Sequence, residues 1–193
     1  MKKISAFVTL MAVLVVGFIF IKSSYESSET VIEAIERVRG PISEIIYSHE
    51  TDNGVVVFYH RQPSNRESKY IGLSSEYVAK TLTGWKWVFG GGHTETESWE
   101  VQDGFTAQYF PGTDGTEFGR SPFPMIFGAA NADQVTSVYV KGYENDYFKK
   151  AELVHINDKE KIWFVFVDKN AGDRFIVIGY DDKGIGVARK FID

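Results

Sequence analysis

The densest polar stretch of the chain is Gly90-Gly91-Gly92-His93-Thr94-Glu95-Thr96-Glu97-Ser98-Trp99-Glu100. In a β-strand alternate residues share a face at steps of ~6.6–6.8 Å, which would line up His93, Glu95 and Glu97. One imidazole and two carboxylates are competent ligands for a divalent cation when another element completes the shell. Nothing in the sequence supplies that element. The other face carries Thr94, Thr96 and Ser98, so the strand is polar on both sides, as a solvent-exposed edge is. His93, Glu95 and Glu97 stand as weak metal candidates, and the expectation is that the protein holds no metal and no cofactor. The three glycines do not form a phosphate cradle, which needs a helix start and usually a Lys-Ser/Thr pair directly afterwards. They read instead as a bulge or tight bend that glycine permits through positive φ.

A second pattern precedes it. Gly84-Trp85-Lys86-Trp87-Val88-Phe89 alternates and predicts Trp85, Trp87 and Phe89 on one face. Such a row can stack on sugar rings, and it can equally be the core side of a strand. The core reading is favoured for Trp87 and less firmly for Trp85, beside Gly84; the three aromatics remain the candidate ligand-binding residues. His49, His60 and His155 sit in predicted strands or beside turns. No G-x-S-x-G elbow or Ser-x-x-Lys dyad occurs. Asp168-Lys169-Asn170 and Asp181-Asp182 lack the closing Glu of a calcium loop and read as hairpin turns. No catalytic residue is assigned, and the protein is expected not to be an enzyme.

The elements that would position these residues fall in order along the chain. Lys2 and Lys3 precede an uncharged run of 18 residues, Ile4 to Ile21, in which only Ser5 and Thr9 are polar. As a helix the run reaches ~27 Å, close to the ~30 Å hydrocarbon thickness of a bilayer. Bulky Phe18-Ile19-Phe20-Ile21 up to Lys22 offers no small-residue cleavage site, so residues 1–22 read as an uncleaved transmembrane anchor. Secretion after cleavage near Ser23 is the alternative. The basic N-terminus places residues 23–193 outside the cytoplasm. Ser-rich 23–28 is a stalk. A short amphipathic helix follows, with Thr30 and Glu33 as a capping box, Val31, Ile35 and Val38 as its apolar stripe, and Gly40-Pro41 as its stop.

From Ile42 onward the sequence reads as strands. Val55–Tyr59 is apolar on both faces after the turn signal Asn53-Gly54. Ser74 to Leu82 reads either as a short helix carrying Tyr77, Val78 and Leu82 or as a strand in which Glu76 to Thr81 pairs with the tryptophan strand, and the strand is preferred. Phe105–Phe110 follows Asp103-Gly104. Beyond Pro111-Gly112-Thr113-Asp114-Gly115, Pro122 and Pro124, the clearest strands are 125–127, 135–140, 151–156, 162–167 and 175–180; Ile162–Val167, apolar on both faces, should be central. The fold class is mainly β: an N-terminal transmembrane helix and short amphipathic helix, then antiparallel β-sandwich or barrel-like subdomains. The expected units are 1–22, 23–41, 42–120 and 121–193.

Composition narrows the function. Residues 23–193 carry 18 basic and 26 acidic side chains, a formal −8, which argues against nucleic acid and against adsorption to anionic lipid beyond the anchor. Zero Cys leaves no thiol nucleophile and suits a bacterial envelope.

Val57-Phe58-Tyr59, the run from Gly84 to Gly92 and Tyr180-Asp181-Asp182-Lys183-Gly184 resemble exported or anchored bacterial envelope proteins of unassigned activity, a resemblance that implies no catalytic residues. Glu95 to Glu100 is also similar to the E-x-D-x-x-E pattern of one β-sandwich glycosidase family, with Glu97 in place of its Asp. That resemblance implies Glu95 and Glu100 as nucleophile and acid/base. The reading is a membrane-anchored, extracytoplasmic, non-catalytic β domain that binds or scaffolds an envelope protein or wall polymer. The alternatives are a carbohydrate-binding module using Trp85 and Trp87, or a hydrolase or metal site on the strand from His93 to Glu100.

Overall fold

The computed structural model describes residues 26–61, 70–97, 104–131 and 133–193, with Met11, Leu14, Val15, Gly17 and Ile21 as single helical positions; at 70, 71 and 93–97 only the backbone is described. Among the described residues no helix is long and apolar enough to cross a membrane. The predicted anchor, 1–22, lies almost wholly outside the described residues.

Among the described residues from 26 onward, one helix and twelve strands are assigned. Helix α1 (Val31–Arg39) is capped as its sequence dictates: the Thr30 side chain accepts from the Glu33 amide, and the Glu33 carboxylate accepts from the Thr30 amide. Gly40 ends it at φ 77°, a backbone state glycine reaches without strain. Its buried side chains are Ala34 and Ile35. Val38, assigned to the apolar stripe, is 52% exposed, because the stripe is rotated toward Ala34.

The strands are β1 (Ile45–Thr51), β2 (Gly54–Arg61), β3 (Tyr70–Thr81), β4 (Gly84–Glu97), β5 (Gln108–Phe110), β6 (Met125–Asn131), β7 (Ser137–Gly142), β8 (Phe148–Lys150), β9 (Glu152–His155), β10 (Glu160–Phe166), β11 (Phe175–Tyr180) and β12 (Gly186–Ile192). They form three antiparallel four-stranded sheets: a first sheet β1-β2-β3-β4, a middle sheet β5-β6-β10-β9 and a last sheet β12-β11-β7-β8. The first turn is Asp52-Asn53, with Gly54 already in β2 opposite Thr51. Gly54 is required by close packing, since a Cβ there would stand 2.2 Å from the Val78 carbonyl oxygen.

Three cores stack these layers. Ala34 and Ile35 of α1 pack on Val55, Val57, Tyr59 and Val78 of the first sheet. The other face of that sheet, Val56, Phe58, Leu73 and Tyr77, meets Met125, Phe127, Ile162 and Phe164 of the middle sheet. The far face of the middle sheet, Ile126, Trp163 and Val165, meets Val138, Val140, Phe175 and Val177 of the last. The order is α1, first sheet, middle sheet, last sheet, an extended β-sandwich. β10 is indeed central: Ile162, Trp163, Phe164 and Val165 are all buried although they alternate between two cores. The division at 120/121 falls between β5 and β6, which pair directly. Ala151 is the point where the chain leaves the last sheet for the middle one, so the segment read as one strand from 151 is preceded by a separate strand, β8.

Truncating the middle layer should be far more damaging than altering a turn. Phe164→Ala is expected to cost about 3–5 kcal/mol in chemical denaturation. Leu82→Asp, at a turn residue 97% exposed, should stay within about 0.5 kcal/mol.

Candidate functional site

The functional side chains gather where α1 crosses the first sheet. Glu76 of β3 is 1% exposed, and a carboxylate so buried must be paired and hydrogen-bonded. Arg39, in the last turn of α1, places Nε 3.1 Å from its Oε1. The Tyr59 hydroxyl donates to the same oxygen at 3.1 Å, and Trp87 Nε1 donates to Oε2 at 2.6 Å. The Arg39 guanidinium lies 5.0 Å from the centre of the Trp87 ring and donates to the Gly90 carbonyl. Burial, reinforced by the Glu76 charge and hydrogen bond, pushes the Tyr59 phenol from 10.0 up to about 12.

The glycine run serves this network. None of Gly90, Gly91 and Gly92 has positive φ; all three lie within β4, so the expected bend does not occur there. A Cβ on Gly90 would fall 2.1 Å from Glu76 Oε2, and one on Gly92 would fall 2.0 Å from Ser74 Oγ. The glycines are the space that lets β3 carry polar side chains under β4.

Trp85 and Trp87 pack toward α1, while Phe89 belongs to the core between the first and middle sheets. The predicted single face is broken by the β3–β4 register: Tyr77 opposes Phe89 and Val78 opposes Trp87, leaving Val88 as an extra residue. A bulge of this kind interrupts alternation. Phe89 meets Phe110, Phe118 and Phe123 with ring centres 5.2–5.8 Å apart. The side chains of His93, Glu95, Glu97 and Glu100 lie outside the described residues. The β4 backbone slips against β3 by one residue between His93 and Thr96, so strict alternation along that stretch is interrupted too. Among the described residues no three His, Asp or Glu side chains are placed to hold a metal.

Beside Trp87 lies a groove of about 340 Å³ between α1 and β4. Ala34, Val38 and Trp87 give it an apolar floor, and Glu26, Arg37 and Lys86 give it a charged rim. Lys86 Nζ is 2.6 Å from Glu26 Oε2. Ser28 pairs with Trp85 through both backbone hydrogen bonds, at 2.7 and 2.8 Å, which fixes the segment entering the domain against β4. The groove is open to solvent and combines an aromatic edge and aliphatic surface with charges of both signs around them.

Two other polar clusters link the sheets. His60 Nε2 is 2.9 Å from Oε1 of Glu160, a second acid only 2% exposed. Tyr47 donates to Glu152 Oε1 at 3.0 Å, and burial together with that carboxylate raises its phenol. His49 packs edge-on against Phe164 at 4.9 Å, and His155 is exposed. Sequence reading missed Arg39, Tyr59, Glu76 and Glu160; an acid facing a glycine run across a predicted strand pair was the one signal that could have found Glu76. No family model matches the chain, and neither a curated protein nor a solved structure is significantly similar to it.

Two outcomes check the Glu76 network. Trp87→Phe keeps most of the ring but leaves a buried carboxylate oxygen without its donor, so it should cost about 1–3 kcal/mol, whereas Trp85→Phe removes no such bond and should cost less. The second outcome concerns alkali. The folded chain holds the Tyr59 proton more tightly than the unfolded chain, so its stabilising effect is complete below pH 10.0 and is lost as pH rises toward about 12. Denaturation curves across that window should fall less steeply for Tyr59→Phe than for the parent protein.

Proposed function

We propose that this chain is a membrane-anchored, extracytoplasmic binding module without chemistry of its own, holding an envelope protein or wall polymer in the groove between α1 and β4. The observation that carries the reading is the groove itself, where an apolar floor and a mixed-charge rim coincide beside the point at which the chain enters the domain. The acids of the interior are already satisfied: Glu76 by Arg39, Tyr59 and Trp87, and Glu160 by His60. They serve packing. The anchored topology draws support from Met11, Leu14, Val15 and Ile21, helical positions whose large apolar side chains are exposed, a cost that lipid would remove.

Carbohydrate recognition by Trp85 and Trp87 is the second reading, favoured by the partial exposure of both rings. It competes with their structural use, because Trp87 is committed to Glu76 through Nε1 and Phe89 is on the other side of the sheet.

Protease added to intact, wall-stripped cells should digest the domain and leave a short membrane stub; full protection would reverse the orientation, and a soluble form starting near Ser23 would indicate cleavage. Val38→Glu places a charge in the groove at an exposed position and should leave the melting temperature nearly unchanged. It should abolish site-specific photocrosslinking from a probe on Arg37 in whole cells. Crosslinking that persists in Val38→Glu would place the partner elsewhere.

A further inference from the structure

The last sheet turns one face to the core and leaves the other uncovered by any described residue, and that face has a composition unlike the rest of the molecule. Register places Phe191, Ile176, Lys141 and Phe148 in one row across its four strands. The next row is Arg189, Ile178, Tyr139 and Lys150. Phe148 and Phe191 are 60% and 56% exposed. Neither row contains a carboxylate, although residues 23–193 carry a formal −8. None of Lys141, Lys150 and Arg189 forms an ion pair with a described residue. Two of these cations lie on rings instead, Arg189 4.7 Å from the Phe191 centre and Lys150 6.0 Å from that of Tyr139. Tyr139 and Phe148 are stacked at 5.1 Å. The acids at one margin, Glu144 and Asp193, are engaged by Arg174.

We propose that this face binds an anionic polysaccharide, a chain of sugar rings carrying carboxylate or phosphate groups. Charge complementarity selects a polyanion: three cations without acids on an otherwise acidic protein attract negative charge and repel a second copy of the same face. Four strands at ~4.7–4.9 Å spacing make a flat platform ~14 Å across, suited to an extended polymer rather than to a small molecule. The exposed parts of the aromatic side chains offer apolar contact to sugar rings, and the interleaved ammonium and guanidinium groups meet the anionic substituents. A bilayer is disfavoured by position. The chain enters the domain at Ser28, on the first sheet, and the uncovered face looks away from that sheet across the middle layer. This surface is separate from the α1–β4 groove and does not depend on what the groove holds; only the choice of an envelope polymer rests on the anchored topology.

The test uses the full chain in zwitterionic detergent micelles, with polygalacturonate as the probe. Retention on immobilised polygalacturonate should weaken as salt rises, and neutral dextran should not retain the protein. Lys141→Gln/Lys150→Gln/Arg189→Gln should lower affinity by roughly tenfold or more. Phe148→Ser/Phe191→Ser should lower it as well, without lowering the melting temperature. Val38→Glu, in the groove, should bind as the parent does, which separates failure here from failure of the groove reading. No retention of the parent chain, or equal retention of the triple variant, would overturn the proposal. Equal binding to polyglutamate or to phosphatidylglycerol vesicles would also overturn it, in favour of an acidic protein or the membrane surface.

Discussion

Everything in this molecule depends on a middle sheet that is apolar on both faces. A sheet covered on one side can alternate polar and apolar residues, but β6 and β10 cannot, and Met125 to Ala130 and Ile162 to Val165 are accordingly buried almost without interruption. Such strands are stable only if each face is covered by another sheet. The first sheet covers one face through Phe58 and Tyr77, and the last covers the other through Val140 and Phe175. Strand order follows from the same demand. The chain crosses from the middle sheet to the last after β6 and β10 and returns at Ala151, so the two sheets are wound from one continuous segment.

Adding a layer creates the same problem again on its outer side, and the first and last sheets solve it differently. The outer face of the first sheet receives α1, which buries Ala34 and Ile35 against it. That approach buries Glu76, and a buried carboxylate without partners would be untenable. Arg39 answers from the helix, Tyr59 and Trp87 answer from the neighbouring strands, and Gly90 makes room. The helix position, the tryptophan rotamer and the glycine run are therefore one constraint seen from three places. The groove lies where the exposed Arg37 and Val38 of α1 run beside a Trp87 ring that is only partly buried.

Local signals were the legible part of the sequence. The capping box at Thr30 and the central position of Ile162–Val167 follow from short-range chemistry or from apolar runs too long for one-sided burial, whereas the segment through Glu76 fitted a helix as well as the strand it forms. What sequence could not give was register. The alternation of Trp85, Trp87 and Phe89 is real along the chain, yet one extra residue, Val88, sends Phe89 into a different core. A bulge is decided by the partner strand, which periodicity in a single segment does not contain. Glu76 escaped for a related reason: its role is visible only once Arg39, 37 positions away in sequence, is seen beside it. β8 was missed, and β12 was implied only by the hairpin turn at Asp181-Asp182, because both are edge strands with exposed, mixed side chains and no uniform pattern.

The two ends of the stack differ in a way that stability alone does not require. A Phe fully buried contributes about 1.5–3 kcal/mol relative to leaving it exposed, and Phe148 and Phe191 forgo more than half of that by standing in solvent. Polar residues would sit at those positions without disturbing any core contact, since Val140 and Ile192, on the inner side, do the packing. The sheet also avoids the ordinary remedy of mixed charges, because its outer rows carry cations alone. The exposed aromatics of this sheet cost solubility and add nothing to the core. The molecule therefore presents two unlike surfaces. One is a cleft beside the point where the chain enters; the other is a flat cationic platform two layers away, and the rigid double-faced sheet between them holds the two apart.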